Sequence, residues 1–475
     1  MNAPDTNKTA VAPLIEALDA LRDRASFHMP GHKGREAFTQ LAAHMDATEI
    51  DMTDDLYRAD GAIAKAQRMA AMSARAAHTI FLTNGSTCGV EAMLGYAAPP
   101  GSSVILPRAS HMSAISALAL YGIEPVWVDA WADEGGAPFT REQDVLEAIG
   151  AHPEARAVLL TRPDYYGRML PMERIAARAH QAGMLVLVDE AHGAHLNWLD
   201  GRSGVWMPGG TMPEHVSALD CGADMCVQSA HKTLPALTSA AYLHMSARVD
   251  ADRLLGRVAL TQTSSPSFLI MASLDGARAH MDAVGRRELD RLCGMCEDVY
   301  RHCEHLDIAP VREHFGMPCD RTRLALDLTG RGISGHDALA ALEQMGLDAE
   351  MSDARRVVMI CTVADAPDDF AQLKRALEQL PRGRGHCHAP SIARVPRGER
   401  VTGVRSAALG ECERVPLSRA AGRVAARALG AYPPGVAECV PGEMISGDAV
   451  ARLDMARRTG SELFGLEKGM CVVVK

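Results

Sequence analysis

The residues with the plainest chemical meaning in this sequence stand in a row: Ser229, Ala230, His231 and Lys232, directly after the apolar run ADMCVQ. A lysine at the end of a buried strand, beside hydroxyl and imidazole groups, can lose its ammonium proton to burial and become an amine able to form a Schiff base. A lone lysine after a strand is usually a surface residue, so the reading needs company. Upstream, the run MLVLV ends in Asp189, followed by Glu190, Ala191 and His192. A carboxylate at the end of a buried strand is costly without a cationic partner. A protonated pyridine nitrogen would be one, and an aspartate that keeps it protonated makes a pyridoxal ring an electron sink. A third segment, TNGSTCGVEAML, has a short strand ending at Thr83, a turn carrying Gly85, Ser86 and Thr87, and a helix expected to begin near Cys88. Helix N-termini offer unpaired N–H groups to phosphate, and Ser and Thr add hydroxyls. Alone, that segment could be a capping sequence. Together the three supply a phosphate cradle, a pyridinium partner and an aldehyde-binding amine, all at strand ends.

The elements that must position these groups follow from periodicity. Between about residues 78 and 245, the short apolar runs HTIFLT, SVILP, IEPVWV, ARAVLLT, MLVLVD, ADMCVQS and AAYLHM alternate with helical patterns. Such alternation predicts an α/β fold with a mainly parallel sheet covered by helices on both sides, and a ligand site beyond the carboxyl ends of its strands. Residues 246 to about 305 read as helical. The stretch 320–380, with RLALDLT, RRVVMICTV and DDFAQLKRALEQL, reads as a second, smaller α/β domain. PRGRGHCHAPSIARVPRGER, rich in Pro, Gly and Arg, reads as an exposed connection.

The bulk numbers narrow the function classes. The 475 residues, 47% hydrophobic and 23% charged, are those of an ordinary globular protein. A formal net charge of −10 argues against nucleic-acid or anionic-membrane partners, which need a basic footprint. No apolar stretch approaches the ~20 residues that span a bilayer, and no secretory leader is visible, so a cytoplasmic location and a small-molecule substrate are expected. The 12 cysteines are scattered and read as core-filling thiols. Cys293 and Cys296 form a CGMC pair, and His386, Cys387 and His388 an HCH cluster. The pair falls on neighbouring faces of one long amphipathic helix, RRELDRLCGMCEDVYRHCEHL, so no metal site is expected.

With these segments in view, the chain resembles the Orn/Lys/Arg decarboxylases of the aspartate-aminotransferase fold. The resemblance runs from about Phe27 to Glu443. It is carried by FHMPGHKG (27–34), TNGSTCGVEAML (83–94), VDEAHGAH (188–195), QSAHKTLPALTSAAYLH (228–244), SSPSFLIMASLD (264–275) and YPPGVAECVPGEMI (432–445). It implies pyridoxal 5'-phosphate as cofactor, with Lys232 bearing it, Asp189 on the pyridine nitrogen, and His192 near the ring hydroxyl and substrate carboxylate. It further implies His111, in PRASHMSAI, stacked on the ring, and Ser86, Thr87, Ser229 and His231 on the phosphate. Ser265, Pro266 and Ser267 would approach the site of a neighbouring subunit, which predicts at least a homodimer. The domains expected are an N-terminal arm (1–26), a cofactor-binding large domain (27–305), a small α/β domain (306–381), the connection (382–404) and a C-terminal family region (405–475).

The resemblance also implies decarboxylation of a basic L-amino acid, arginine favoured over lysine or ornithine because the chain is as compact as the short family members. Another reaction of the same cofactor, or a non-catalytic homologue, are the alternatives. A basic substrate needs an acid for its distal cation, preferably bidentate for guanidinium; Glu443, Asp164 and Asp54 are the candidates. The chain departs from the family pattern at EIDMTDDLYRAD (49–60), at RPDYYG (162–167) and at VAEC (436–439), regions expected to border substrate.

Overall fold

The computed structural model describes residues 11–20, 43–207, 210, 212–312, 316–383, 393–432, 435–458 and 461–475. FHMPGHKG and the HCH cluster lie outside them. All seven apolar runs form strands of one sheet: β1 (His78–Leu82), β2 (Ser103–Pro107), β3 (Glu124–Val128), β4 (Ala157–Thr161), β5 (Leu185–Asp189), β6 (Met225–Gln228) and β7 (Ala241–Met245). Their order is β3-β2-β4-β5-β6-β7-β1, and β7 runs against the other six. The central strands are apolar along their whole length because helices cover both faces. Successive residues of β5 feed opposite cores, Val186 and Val188 one and Leu187 the other.

Two helices set the rim of the sheet. α1 (Gly85–Ala97) follows β1, and α2 (Met112–Tyr121) follows β2. α1 starts at Gly85 and not near Cys88, so Ser86 and Thr87 belong to its first turn. Gly85 has φ +75°, a conformation that costs glycine little, and this lets the chain turn directly from β1 into the helix. A Cβ at Gly89 would stand 2.5 Å from Val227, so this glycine allows α1 to lie against β6.

Beyond β7, α3 (Phe268–His280) and α4 (Arg286–Cys303) confirm the helical reading. α4 contains the CGMC pair with both thiols buried in the main core. A second sheet is built on β8 (Arg323–Asp327) and β9 (Arg356–Ile360), antiparallel to each other and flanked by helices Gly335–Gln344 and Pro367–Gln379. The C-terminal segments form two small antiparallel sheets, one on Cys412–Pro416 and Met470–Val474, the other on Leu429–Tyr432. A buried ion pair, Arg108 to Glu443 at 2.7 Å, fastens this region to the large sheet. The described part of the Arg-rich connection is not a free loop: Arg394 and Arg397 pair with Asp129, and Arg400 with Glu124, along the edge at β3. Among the described residues, no helix is long and apolar enough to cross a membrane.

Candidate active site

A cleft of ≈ 960 Å³, counted to its open mouth, lies at the carboxyl ends of β2, β4, β5 and β6. Lys232, Asp189, His192, His111 and Ser86 all line it. β6 ends at Gln228, and a single helical turn, Ala230–Thr233, carries Lys232 into the cleft. Its Nζ stands 3.2 Å from His192 Nε2 and 5.9 Å from the centroid of the Tyr165 ring. Burial pushes the Lys232 ammonium pKa down, Asp189 and Glu350 oppose this, and Arg323 reinforces it.

Asp189 ends β5 and is 6% exposed. Its Oδ1 accepts the Ala191 N–H at 3.1 Å, and among the described residues no cation pairs with it. Burying a carboxylate so sparsely partnered is expensive unless a ligand supplies the cation. His192 is fully buried, which holds its pKa well below the usual imidazole range, with the charges of Lys232 and Arg323 acting in the same direction. His111 caps α2, its Nδ1 accepting the Ser113 N–H at 3.2 Å. Burial also lowers its pKa, against the pull of Asp189.

At the other side of the cleft is the N-terminus of α1. Asn84 caps it without a side-chain hydrogen bond, and Gly85 N–H is taken by Ser239 O, leaving first-turn amides without partners inside the helix. The Ser229 hydroxyl donates to Ser86 Oγ at 2.9 Å, so the two hydroxyls converge beside that terminus. His231 turns Nδ1 to Ala240 O at 3.0 Å, and Thr87 is exposed on the first turn. An anion-receiving terminus, a buried carboxylate lacking a cation and a partly desolvated lysine fit pyridoxal phosphate in chemistry and in placement.

The three proposed acids for a substrate cation fare differently. Asp54 and Glu443 do not line the cleft. Asp54 spends its carboxylate on the N–H groups of Asp55, Asp60, Gly61 and Ala64, pinning the loop before helix Ala62–Ser73. Glu443 is held by Arg108 and the Val440 N–H. Asp164 does line the cleft, but Arg168 donates to it, as do the Tyr166 and Arg168 backbone N–H groups. Arg162, the departure beside it, is buried and bonded to Leu170 O and Val216 O. Ser265 and Pro266 are not among the cleft residues, and Ser267 caps α3.

Several groups in the cleft or directly behind its wall carried no local signal in the sequence. Tyr165 packs its ring 4.4 Å from that of His192 and shares a 3.3 Å contact with the Tyr432 hydroxyl. Arg168 is locked by Asp164, Asp133 and Pro138 O. Arg356, from the second sheet, donates to both oxygens of Asp133 and to Asp353, while Tyr166 donates to Asp353. Arg323, at the start of β8, reaches His192 Nδ1 at 3.3 Å. The one available clue was the charged pattern of the second sheet's strands, RTRLALDL and DARRVVMI, which put arginines at the ends of buried runs.

A mainly parallel sheet with lysine and aspartate at adjacent strand ends, facing a helix N-terminus, defines the aspartate-aminotransferase class of folds. The solved structure of Escherichia coli constitutive lysine decarboxylase superposes with a TM-score of 0.79 at 19% identity, covering 98% of this chain and 82% of that one. The family model for the Orn/Lys/Arg decarboxylase major domain matches residues 12–309, and that for the family's C-terminal domain matches 395–472. The chain belongs to the Orn/Lys/Arg decarboxylase family. It is similar to Bacillus subtilis YaaO, a protein described as uncharacterized, at 32% identity over 93% of each chain. It is also 30% identical to the arginine decarboxylase of Bacillus anthracis, over 92% of this chain and 91% of that one.

Proposed function

We propose that the protein removes the α-carboxylate of a basic L-amino acid as CO2, releasing the amine, with arginine favoured over lysine and ornithine. The observation that carries this is the juxtaposition of Lys232, Asp189 and the α1 terminus around one cleft in a chain of this family. Pyridoxal phosphate, when bound, supplies an aldehyde for the substrate amine and a ring that accepts the electron pair left by departing CO2. Lys232 would bear it, Asp189 would hold its pyridine nitrogen protonated, and His111 would face the ring. The α1 terminus, Ser86, Thr87, Ser229 and His231 would hold the phosphate. His192, beside Lys232, would orient the substrate carboxylate and hold a proton near the reacting carbon. The full-length likeness to a protein named arginine decarboxylase supports arginine.

The cleft's own Asp164 is committed to Arg168, which supports a distal-cation partner from outside this chain. We propose at least a homodimer in which Ser265, Pro266 and Ser267 lie near the neighbouring site, a cytoplasmic location, and a large domain of 27–305 that carries the cofactor. The test is CO2 release by the cofactor-loaded protein with arginine, lysine and ornithine offered separately. Release from at least one, absent in Lys232→Ala, is expected. Cofactor binding without release from any of them would overturn the reading.

A further inference from the structure

His192 sits between two nitrogen donors. Arg323 Nη2 is 3.3 Å from its Nδ1, and Lys232 Nζ is 3.2 Å from its Nε2. A guanidinium has donors and no acceptor, and it stays protonated throughout the working pH range. Nδ1 must therefore be the lone-pair nitrogen, since a hydrogen there would point at another hydrogen. The imidazole is fully buried between these groups and is neutral, so it carries one hydrogen, and that hydrogen is on Nε2. Nε2–H is then aimed at Nζ, which must accept it, as the uncharged form of a lysine nitrogen does.

We infer that Arg323 is a positioning residue that fixes the Nε2–H tautomer of His192 and thereby holds Lys232 as a hydrogen-bond acceptor, the form that attacks an aldehyde. Arg323 is built for a fixed pose. It is 2% exposed, the Tyr300 hydroxyl donates to its backbone oxygen at 2.7 Å, and Gly167 (φ +82°) packs so closely on its stem that a Cβ there would lie 2.8 Å from Arg323 Cβ. Among the described residues, Nε and Nη1 have no hydrogen-bond partner, so the contact to His192 is the one hydrogen bond its guanidinium makes. The charges of Asp320 and Glu350 help to hold the cation in this buried position, but the hydrogen bond it makes goes to His192. The role is distinct from binding substrate directly: Arg323 does not line the cleft, and His192 stands between it and Lys232.

The inference rests on the reading of Lys232 as the cofactor-bearing amine, but its test needs no turnover. The full-length protein, labelled with 15N-histidine, is examined by long-range 1H–15N correlation at about pH 7, before and after loading with pyridoxal phosphate. The His192 signals are identified by their loss in His192→Asn. The expected result is a neutral ring protonated at Nε2, retained in Arg323→Lys and lost to a mixture or to Nδ1–H in Arg323→Met. In parallel, Arg323→Met is expected to lose on the order of 10- to 100-fold in kcat, the usual size for removing the partner that orients a functional histidine, with KM changed less. An Nδ1–H ring or an imidazolium in the unmodified protein would overturn the inference, whether or not any variant folds. So would an unchanged tautomer in Arg323→Met accompanied by a rise in KM alone, which would make Arg323 a substrate-carboxylate clamp. Failure of CO2 release with the tautomer as expected would instead count against the decarboxylase reading.

Discussion

At the carboxyl ends of β5 and β6 the ionisable groups are left short of protein partners, whereas across the cleft they are saturated with them. Asp189 accepts one backbone N–H, and Lys232 Nζ meets an imidazole. Opposite, Asp133 receives Arg168 and both Nη atoms of Arg356, Asp353 receives Arg356 and Tyr166, and Asp164 receives Arg168. The first arrangement is unfavourable for the empty protein and becomes favourable when a ligand brings the missing charges. The second is complete without a ligand, and its product is shape: it clamps the second sheet to the large one and fixes the cleft wall. Charged residues in and behind the cleft wall thus divide into those left open to a ligand and those that brace.

Removing the binding side is expected to have the largest effect. Lys232→Ala should lose on the order of 10^3-fold or more in CO2 release, the loss expected when a covalent-catalysis nucleophile is deleted. It should also lose the visible absorbance of the bound cofactor, while its melting temperature holds or rises because a buried, sparsely partnered amine is gone. Asp189→Asn should retain cofactor but lose on the order of 10^2-fold in kcat, the scale of one preorganised electrostatic partner. A smaller loss in Asp189→Asn than in a variant of the bracing side would break the division between the two walls.

That division also marks what was legible in the sequence. The strand-end groups sit in contiguous segments, and each segment reports its own element: an apolar run of β length, then the functional residue. All seven runs became strands, and their order put Asp189 at the end of one strand and Lys232 just past the end of its neighbour. The start of α1 was missed by three positions because glycine at 85 reads as a turn, when its positive φ serves to begin the helix at once. The bracing side has no such local signal. Asp133 and Arg356 are far apart in the chain and meet only through the docking of two sheets, and an acid in a loop looks the same whether it is paired or free. Asp54 and Glu443 look like free acids in the sequence, and both are consumed by structural contacts.

Disrupting the brace should separate stability from cofactor chemistry. Asp133→Asn leaves two buried guanidinium groups undercompensated and should cost about 3–5 kcal/mol of stability. Thermal unfolding should show the loss, and the surviving enzyme should show a raised KM with cofactor affinity little changed. A smaller effect is expected at Glu190, fully buried between Arg162, Gln228 and the Ala218 N–H, where burial pushes the carboxyl pKa up to about 7. Its folded pKa lies above the unfolded value, so its contribution to stability is greatest below the unfolded carboxyl range and is lost as pH rises through about 7. Melting temperature should therefore decline across that pH window, and Glu190→Gln should flatten the decline.

The most direct test of the central claim is isotopic. The cofactor-loaded protein is given arginine labelled with 13C at the α-carboxyl, and labelled CO2 and the amine product are quantified together. Both are expected in equal amounts, and both are expected to vanish in Lys232→Ala. Consumption of arginine with the label retained in a keto acid, and no labelled CO2, would contradict it.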